Sequence, residues 1–274
     1  MSERVAVRKT YKLFIGGKFP RSESGRSYLV QDSNVSLASR KDARDAVVAA
    51  RAAVKGWAGT TAYNRGQILY RVAEMLEGRR EQFVALGVAA DEVEAAIDRW
   101  VWYAGWSDKI PQVYGGANPV AGPYFNLSAP EPTGVVAVVA PETPALLGLV
   151  SVVAPAIVTG NTVVVAASPT EPLAAVTLAE VLATSDLPGG VVNILTGRLT
   201  ETVPTLAAHM DVNAIDLTGV TDTELATELE VKAAENLKRV LRPAPADHDW
   251  SADPGVTRMT ALLETKTVWH PKGV

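Results

Sequence analysis

Between residues 134 and 219, short β-branched runs alternate with segments long enough to be helices. Gly134-Val135-Val136-Ala137-Val138-Val139-Ala140-Pro141 is a strand pattern stopped by proline. The apolar segment from Ala145 to Val158 reads as a buried helix. After Thr159-Gly160-Asn161, the run from Thr162 to Ala167 reads as a buried strand. Leu187-Pro188-Gly189-Gly190 introduces a third run, Val191 to Leu195, and Ala214-Ile215-Asp216-Leu217-Thr218-Gly219 closes the stretch. Strands apolar on both faces, separated by helical lengths, specify α/β architecture around a buried parallel sheet. Ligands of such sheets bind at the carboxyl ends of the strands.

The flanking pattern supplies the remaining elements. Phe14-Ile15-Gly16-Gly17-Lys18-Phe19 predicts a tight hairpin, its glycines accepting positive φ. Asp42 is the expected N-cap of an alanine-rich helix from Ala43 to Val54. Apolar positions at helical spacing predict a second helix from Ala62 to Leu86 and a third from Asp91 to Trp106. The aromatics of the third, including Trp100, Trp102 and Tyr103, are read as packing groups. Composition then shifts to Gly, Pro, Asn and Tyr between Ile110 and Pro132. Val113-Tyr114 and residues 123–127 are read as two strands of a protruding ribbon around Gly115-Gly116. A ribbon of this size has little to bury alone and is expected to rest on another element or chain. After Gly219 a helix from Asp222 to Leu237 precedes Arg239-Val240-Leu241, a fifth strand. Proline then stiffens a linker from Pro243 to Trp250, and Glu264 to Trp269 alternates like an edge strand.

Composition narrows the function classes. The 274 residues carry a net charge of −4 and are 47% hydrophobic, with no basic cluster to suit nucleic acid or an anionic membrane. There is no cysteine, which excludes disulfides, thiolate metal sites and a cysteine nucleophile within these residues. Thr143 to Thr170 is uncharged and long enough to span a bilayer. Pro144, Gly148, Pro155, Gly160, Asn161 and Pro169 interrupt it, so a buried helix followed by a buried strand is the better reading. Met1-Ser2-Glu3-Arg4 lacks the apolar run of a secretory signal, and the expected location is the cytoplasm.

The chemistry inventory is sparse. His209, His248 and His270 stand apart, with no ligand-spaced carboxylate, so no metal site is expected. There is no Gly-x-Gly-x-x-Gly, no phosphate loop and no Gly-x-Ser-x-Gly elbow. Glu142 is the one acidic residue at a strand end within the apolar stretch and is read as a water-facing carboxylate rather than a catalytic base. A helix starting after Thr218-Gly219 would offer N–H groups to an anion, but Asp222 and Glu224 occupy its first turn and would repel a pyrophosphate.

Taken together, several stretches resemble the aldehyde dehydrogenase superfamily over nearly the whole chain. They are the 14–19 hairpin, residues 62–76 with Arg65 and Ala73-Glu74, Ala104-Gly105-Trp106-Ser107-Asp108-Lys109 and Glu131-Pro132-Thr133-Gly134-Val135. Ala154-Pro155-Ala156, Thr159-Gly160-Asn161-Thr162-Val163-Val164-Val165, Leu187-Pro188-Gly189-Gly190-Val191-Val192-Asn193 and Asn236-Leu237-Lys238-Arg239-Val240 follow in family order. The resemblance implies a Rossmann-like, cofactor-type fold with a small oligomerisation ribbon. On that basis residues 1–110 form the hairpin and helices of the cofactor-type domain and 111–131 the ribbon. Residues 132–246 are the Rossmann-like core, and 247–274 are the linker and a terminal oligomerisation strand.

The departures from the family fall on its functional positions. Where the family has Pro-Trp-Asn-Phe-Pro, whose asparagine helps hold the oxyanion, this chain has Pro141-Glu142-Thr143-Pro144-Ala145. The ribose-gripping lysine position is Ala166; Ser168 is kept, and the following glutamate position is Pro169. Phe-Thr-Gly-Ser becomes Leu217-Thr218-Gly219-Val220, and the family's next glycine is Glu224. The Glu-Leu-Gly-Gly general base is replaced by Leu241-Arg242-Pro243-Ala244. Ser168, Thr218 and Gly219 are thus the vestigial cofactor-binding residues, and no catalytic residue is assigned. Any NAD or NADP binding is expected to be weak.

The resemblance implies a non-catalytic subunit that assembles with a full-length, NAD(P)-dependent aldehyde dehydrogenase. The contacts would run from about Gln112 to Pro130 and from Leu263 to Val268, with self-association as a further route. The alternative is an oxidoreductase subunit that binds NAD while a partner supplies the catalytic residues in trans. A binding module for another nucleotide or acyl ligand is the third reading.

Overall fold

A computed structural model describes residues 9–272; Met1-Ser2-Glu3-Arg4, read above for targeting, lies outside the described residues. Three short strands, β1 (Thr10–Tyr11), β2 (Ser27–Val30) and β3 (Ser33–Ser36), form a small sheet in the order β1-β3-β2. Helices α1 (Arg40–Gly59), α2 (Ala62–Glu77), α3 (Arg80–Val84), α4 (Ala90–Ala104) and α5 (Ile110–Tyr114) follow. Next come β4 (Gly116–Ala117), β5 (Tyr124–Pro132), β6 (Val135–Val139), α6 (Leu147–Val158), β7 (Thr162–Ala166) and α7 (Pro172–Leu182). The chain continues through β8 (Val192–Leu195), α8 (Leu199–Ala208), β9 (Ala214–Asp216), α9 (Thr223–Ala234) and β10 (Arg239–Leu241). It returns through α10 (Thr257–Ala261) into β11 (Leu263–Pro271).

The central sheet has the order β10-β9-β6-β7-β8, with every pairing parallel. Strands β6, β7, β8 and β9 are buried throughout, as the Val and Ala runs of β6 and β7 require, while the edge strand β10 is only partly covered. Side chains alternate between two cores. Val136 and Val138 of β6 pack with α4, α6 and the aromatics Trp57, Trp100 and Tyr103. Val135, Ala137 and Val139 pack with α1, α8 and α9 on the other face. The strand order reverses between β6 and β9, and at such a switch point the loops diverge and leave a crevice at the carboxyl ends.

Long-range polar anchors hold the edges. The hairpin turns where Ile15 pairs with Lys18, and Phe14 exchanges backbone hydrogen bonds with Ile194 of β8, covering that edge of the sheet. Asn193 Oδ1 accepts from the Gly16 N–H at 2.9 Å, while its Nδ2 donates to the carbonyls of Val163 and Gly190. Asn161 is fully buried; its Oδ1 accepts from the Gly134 N–H at 2.7 Å and its Nδ2 donates to the Leu262 carbonyl at 2.9 Å.

Several sequence expectations are corrected. The first helix is longer than 43–54, and Ser39 is its N-cap. Asp42 sits at N3, reaching back to the Ser39 N–H to complete a capping box. The expected helix over 62–86 breaks at Gly78 into α2 and α3. Val113-Tyr114 is helical, because Pro111 stands in the first turn of α5, so the ribbon's first strand is only Gly116–Ala117. The terminal strand is longer than expected and pairs antiparallel with β5 from Leu263 opposite Pro132 to Pro271 opposite Tyr124. The small β1-β3-β2 sheet and α10 were not foreseen.

Candidate functional site

At the switch point lies a crevice of about 800 Å³. Pro141 to Ala145, after β6, form one side, and Thr218, Gly219 and Thr221, after β9, form the floor. Glu171, just before α7, and Leu173 and Ala174 in its first turn line the crevice together with the segment from Ala244 to Trp250, which follows β10. Gly219 is required there: a Cβ on it would stand 2.2 Å from the Ala140 carbonyl oxygen, because the β9 loop crosses directly over the end of β6. Its N–H donates to the Val139 carbonyl at 3.0 Å.

Of the three sequence-derived cofactor residues, Thr218 and Gly219 line this crevice and Ser168 does not. Ser168 is buried at the end of β7, where its hydroxyl contacts Thr170 Oγ1 and accepts from the Glu171 N–H at 3.0 Å. Thr218 is turned toward the protein. Its hydroxyl donates to Asp216 Oδ1 and accepts from Arg258 Nη1 at 2.8 Å.

The Asp216–Arg258 pair was invisible in the sequence. Asp216 ends β9 beneath the crevice floor and is almost completely buried. Its Oδ2 lies 3.0 Å from the Arg258 guanidinium, delivered by α10. Burial pushes the Asp216 carboxyl above the ordinary aspartate range, against the pull of Arg258 and two hydrogen bonds from Thr218. Tyr103 lies in the same electrostatic neighbourhood, and burial drives its phenol up to about 12. The Arg258 guanidinium also lies over the Trp250 ring, 5.7 Å from its centroid.

A dinucleotide pyrophosphate needs unfilled N–H groups at a helix N-terminus or a cation within reach. Among the described residues, this crevice has no lysine or arginine in its lining, and the start of α7, which has no side-chain cap, carries Pro172 and the Glu171 carboxylate. Glu92 Oε1 accepts from the Leu146 and Leu147 N–H groups at the start of α6, at 2.7 and 3.1 Å. Asp222 Oδ1 accepts from the Glu224 and Leu225 N–H groups at the start of α9, at 2.9 and 3.2 Å. The lining bears three carboxylates, Glu92, Glu142 and Glu171, with His248 but no lysine or arginine among the described residues. The residues present do not fit a pyrophosphate. Glu142 is exposed at the rim, as read from the sequence. Two of the three histidines stand away from the lining: His209 caps the end of α8 and His270 lies in β11.

The oligomerisation ribbon of the sequence reading is a three-stranded sheet in the order β11-β5-β4. Strand alternation sends Phe125 and Leu127 to one face and Tyr124 and Trp269 to the other, all four at least two-fifths exposed. The Tyr124 and Trp269 rings meet edge to face at 5.7 Å. Arg239 clamps Glu264 at the root of β11 with two 2.7 Å bonds, tying the ribbon to the central sheet.

Comparison with known proteins adds a frame to this geometry. A family model described as "Aldehyde dehydrogenase family" matches residues 31–243. Aldehyde dehydrogenase, cytosolic 1, of Elephantulus edwardii is 32% identical over 249 residues, covering 84% of this chain and 49% of the relative. Retinal dehydrogenase 2 of Homo sapiens is 32% identical over 252 residues, covering 85% and 48%. Among solved structures, the NAD+ complex of an aldehyde dehydrogenase from Bacillus cereus superposes with a TM-score of 0.80 at 28% identity, over 85% of this chain and 50% of that one. The chain spans about half the length of the curated relatives it matches. No described helix is long and apolar enough to cross a membrane.

Proposed function

The chain belongs to the aldehyde dehydrogenase family, and on that footing we propose that it is a non-catalytic subunit of the cytoplasm. It assembles with a full-length NAD(P)-dependent aldehyde dehydrogenase and supports or regulates it. The observation that carries this reading is the β4-β5-β11 sheet, whose outer edge on β11 is unpaired among the described residues and which bares apolar side chains on both faces. A strand edge with exposed aromatics is a template for β-augmentation by another chain. The absence of cysteine from the 274 residues supports the non-catalytic half of the reading. So does the position of Leu241-Arg242-Pro243-Ala244, which ends β10 and leaves it with the Ala244 N–H bonded to the Thr218 carbonyl. A tagged chain purified from native cells is expected to bring down a full-length aldehyde dehydrogenase in stoichiometric amount. Recovery of this chain alone, as a monomer, would sink the proposal.

A second reading is favoured by the superposition on an NAD+-complexed relative: the chain binds NAD, and a partner's residues complete aldehyde oxidation in trans. Titration calorimetry separates the two. The acidic lining and the capped starts of α6 and α9 lead us to expect no NAD or NADP binding tighter than about millimolar; a micromolar Kd, about −8 kcal/mol, would favour the second reading.

A further inference from the structure

Between β10 and α10 the chain runs without helix or strand from residue 242 to 256. It forms one wall of the crevice with Ala244, Pro245, Ala246, His248 and Trp250 and lies over the end of β9. We propose that residues 244–254 are a hinged strap, latched by Arg99, that swings away from the end of β9 as a unit and so controls access to the Thr218 side of the crevice.

The bonding of the segment is polarised. On the strap side, Pro245 to Asp249 are exposed, as are Ser251, Ala252 and Asp253, and only Trp250 is partly packed against the core. Besides the Ala244 N–H bond to the Thr218 carbonyl and the Arg258 guanidinium over the Trp250 ring, one side chain holds this part down. Arg99 Nη2 donates to the carbonyls of Trp250 and Ala252 at 2.8 and 3.0 Å, while Nη1 donates to Ser151 Oγ at 2.9 Å. Beyond Gly255, whose φ of +57° supplies a natural pivot, the character reverses. Met259 and Leu262 are fully buried in the main core, and the Leu262 carbonyl accepts from Asn161 Nδ2 at 2.9 Å and from the Thr133 N–H. Lifting the strap therefore exposes little apolar surface and leaves α10 and β11 in place. Segments with few buried contacts open locally at a fraction of the global unfolding free energy.

The latch has two acceptable environments. Closed, the Arg99 guanidinium is almost wholly buried, and burial lowers its pKa. Open, water replaces the two strap carbonyls and removes that desolvation. Arg258 stays behind as a fixed post, because α10 holds it against Asp216 and Thr218 on the anchored side of the pivot. The crevice thus gains room at the end of β9 without loss of the buried ion pair. This device rests on neither reading of the assembly.

Native-state hydrogen exchange of the intact chain tests it. In the unaltered protein, amides of residues 245–253 are expected to exchange through an opening insensitive to denaturant, well ahead of those of the buried Met259 and Leu262. Arg99→Met is expected to speed strap exchange about tenfold or more, the consequence of losing hydrogen bonds from a charged donor. Ser151→Ala, which spares both strap bonds, is expected to leave strap exchange unchanged. Strap amides that exchange in step with Met259 and Leu262 in the unaltered protein overturn the proposal. Equal acceleration of every element in Arg99→Met does the same.

Discussion

Glu92 of α4 caps α6: its Oε1 sits 2.7 Å from the Leu146 nitrogen and also receives the Leu147 N–H. A helix end that could receive an anion is filled by this chain's own carboxylate. Glu92→Ala leaves both N–H groups without a side-chain acceptor and is expected to cost about 1 kcal/mol in chemical denaturation, the usual loss for a helix cap. Glu92→Gln keeps an acceptor oxygen and is expected to lose less than half of that.

The buried pair beneath the crevice yields a signed pH dependence. Arg258→Met strands the Asp216 carboxylate in the core and is expected to cost roughly 3 kcal/mol at neutral pH. The Asp216 carboxyl already titrates above its unfolded value because of burial, and Arg258 opposes that rise. With Arg258 gone the folded pKa climbs further. A raised folded pKa favours the protonated native state, so its contribution is fully present below the unfolded value of about 3.8 and is lost as pH rises through the folded one. The variant's deficit relative to the parent should therefore shrink on acidification. A deficit that stays constant from neutral to acidic pH would contradict this.

Gly219→Ala forces a Cβ against the Ala140 carbonyl at 2.2 Å, backbone against backbone with no flexible side chain to yield. We expect a loss of about 3 kcal/mol or more, read as a lowered denaturation midpoint. Gly116→Ala, with nothing within 4 Å of the added carbon, is expected to change stability by no more than about 0.5 kcal/mol.

The contrast between these positions shows what a sequence carries. The valine runs of β6 and β7 foretold buried parallel strands because burial on both faces leaves no polar alternation to hide them. Asn161 and Asn193 were legible as part of a resemblance but not as what they are, side chains completing backbone hydrogen bonds between distant loops. Asp216 and Arg258 stand 42 residues apart and carry no shared local pattern, so only the return of α10 onto β9 reveals them as a pair. The break at Gly78 was missed because apolar spacing continues through it while the backbone does not, and α5 because the Gly- and Pro-rich composition after Ile110 reads as a ribbon although Pro111 suits a first helical turn. The two- to four-residue strands of the first sheet are too short for period-two alternation to register.

The root of the ribbon offers an acid-sensitive joint. Arg239 holds Glu264 through two parallel hydrogen bonds, and this lowers the Glu264 carboxyl below its ordinary value of about 4.5. A depressed carboxylate stabilises fully above the unfolded pKa and loses that contribution as pH falls through the folded one. Both side chains are about half exposed, so the joint is expected to contribute no more than about 1 kcal/mol. Glu264→Gln should remove it, and the difference from the parent should vanish below the folded pKa in acid titrations followed by exchange at β11.

The assembly reading turns on apolar groups that the monomer does not need. Phe125 and Leu127 are 49% and 41% exposed on one face of the ribbon, so replacing both with serine removes less buried area than substitutions in the core would. Stability is expected to change by no more than about 1 kcal/mol for the pair, within the range of surface substitutions. An aldehyde dehydrogenase partner seated on that face would lose two apolar anchors, each contributing about half of the roughly 1.5–3 kcal/mol of full burial, because half of each is already covered. Co-purification should then fall by at least about tenfold while the melting temperature of the free chain is preserved. If partner recovery is undiminished, the contact lies elsewhere than on this face of the β5–β11 ribbon. If the melting temperature falls with it, the ribbon was serving the fold of this chain rather than an interface.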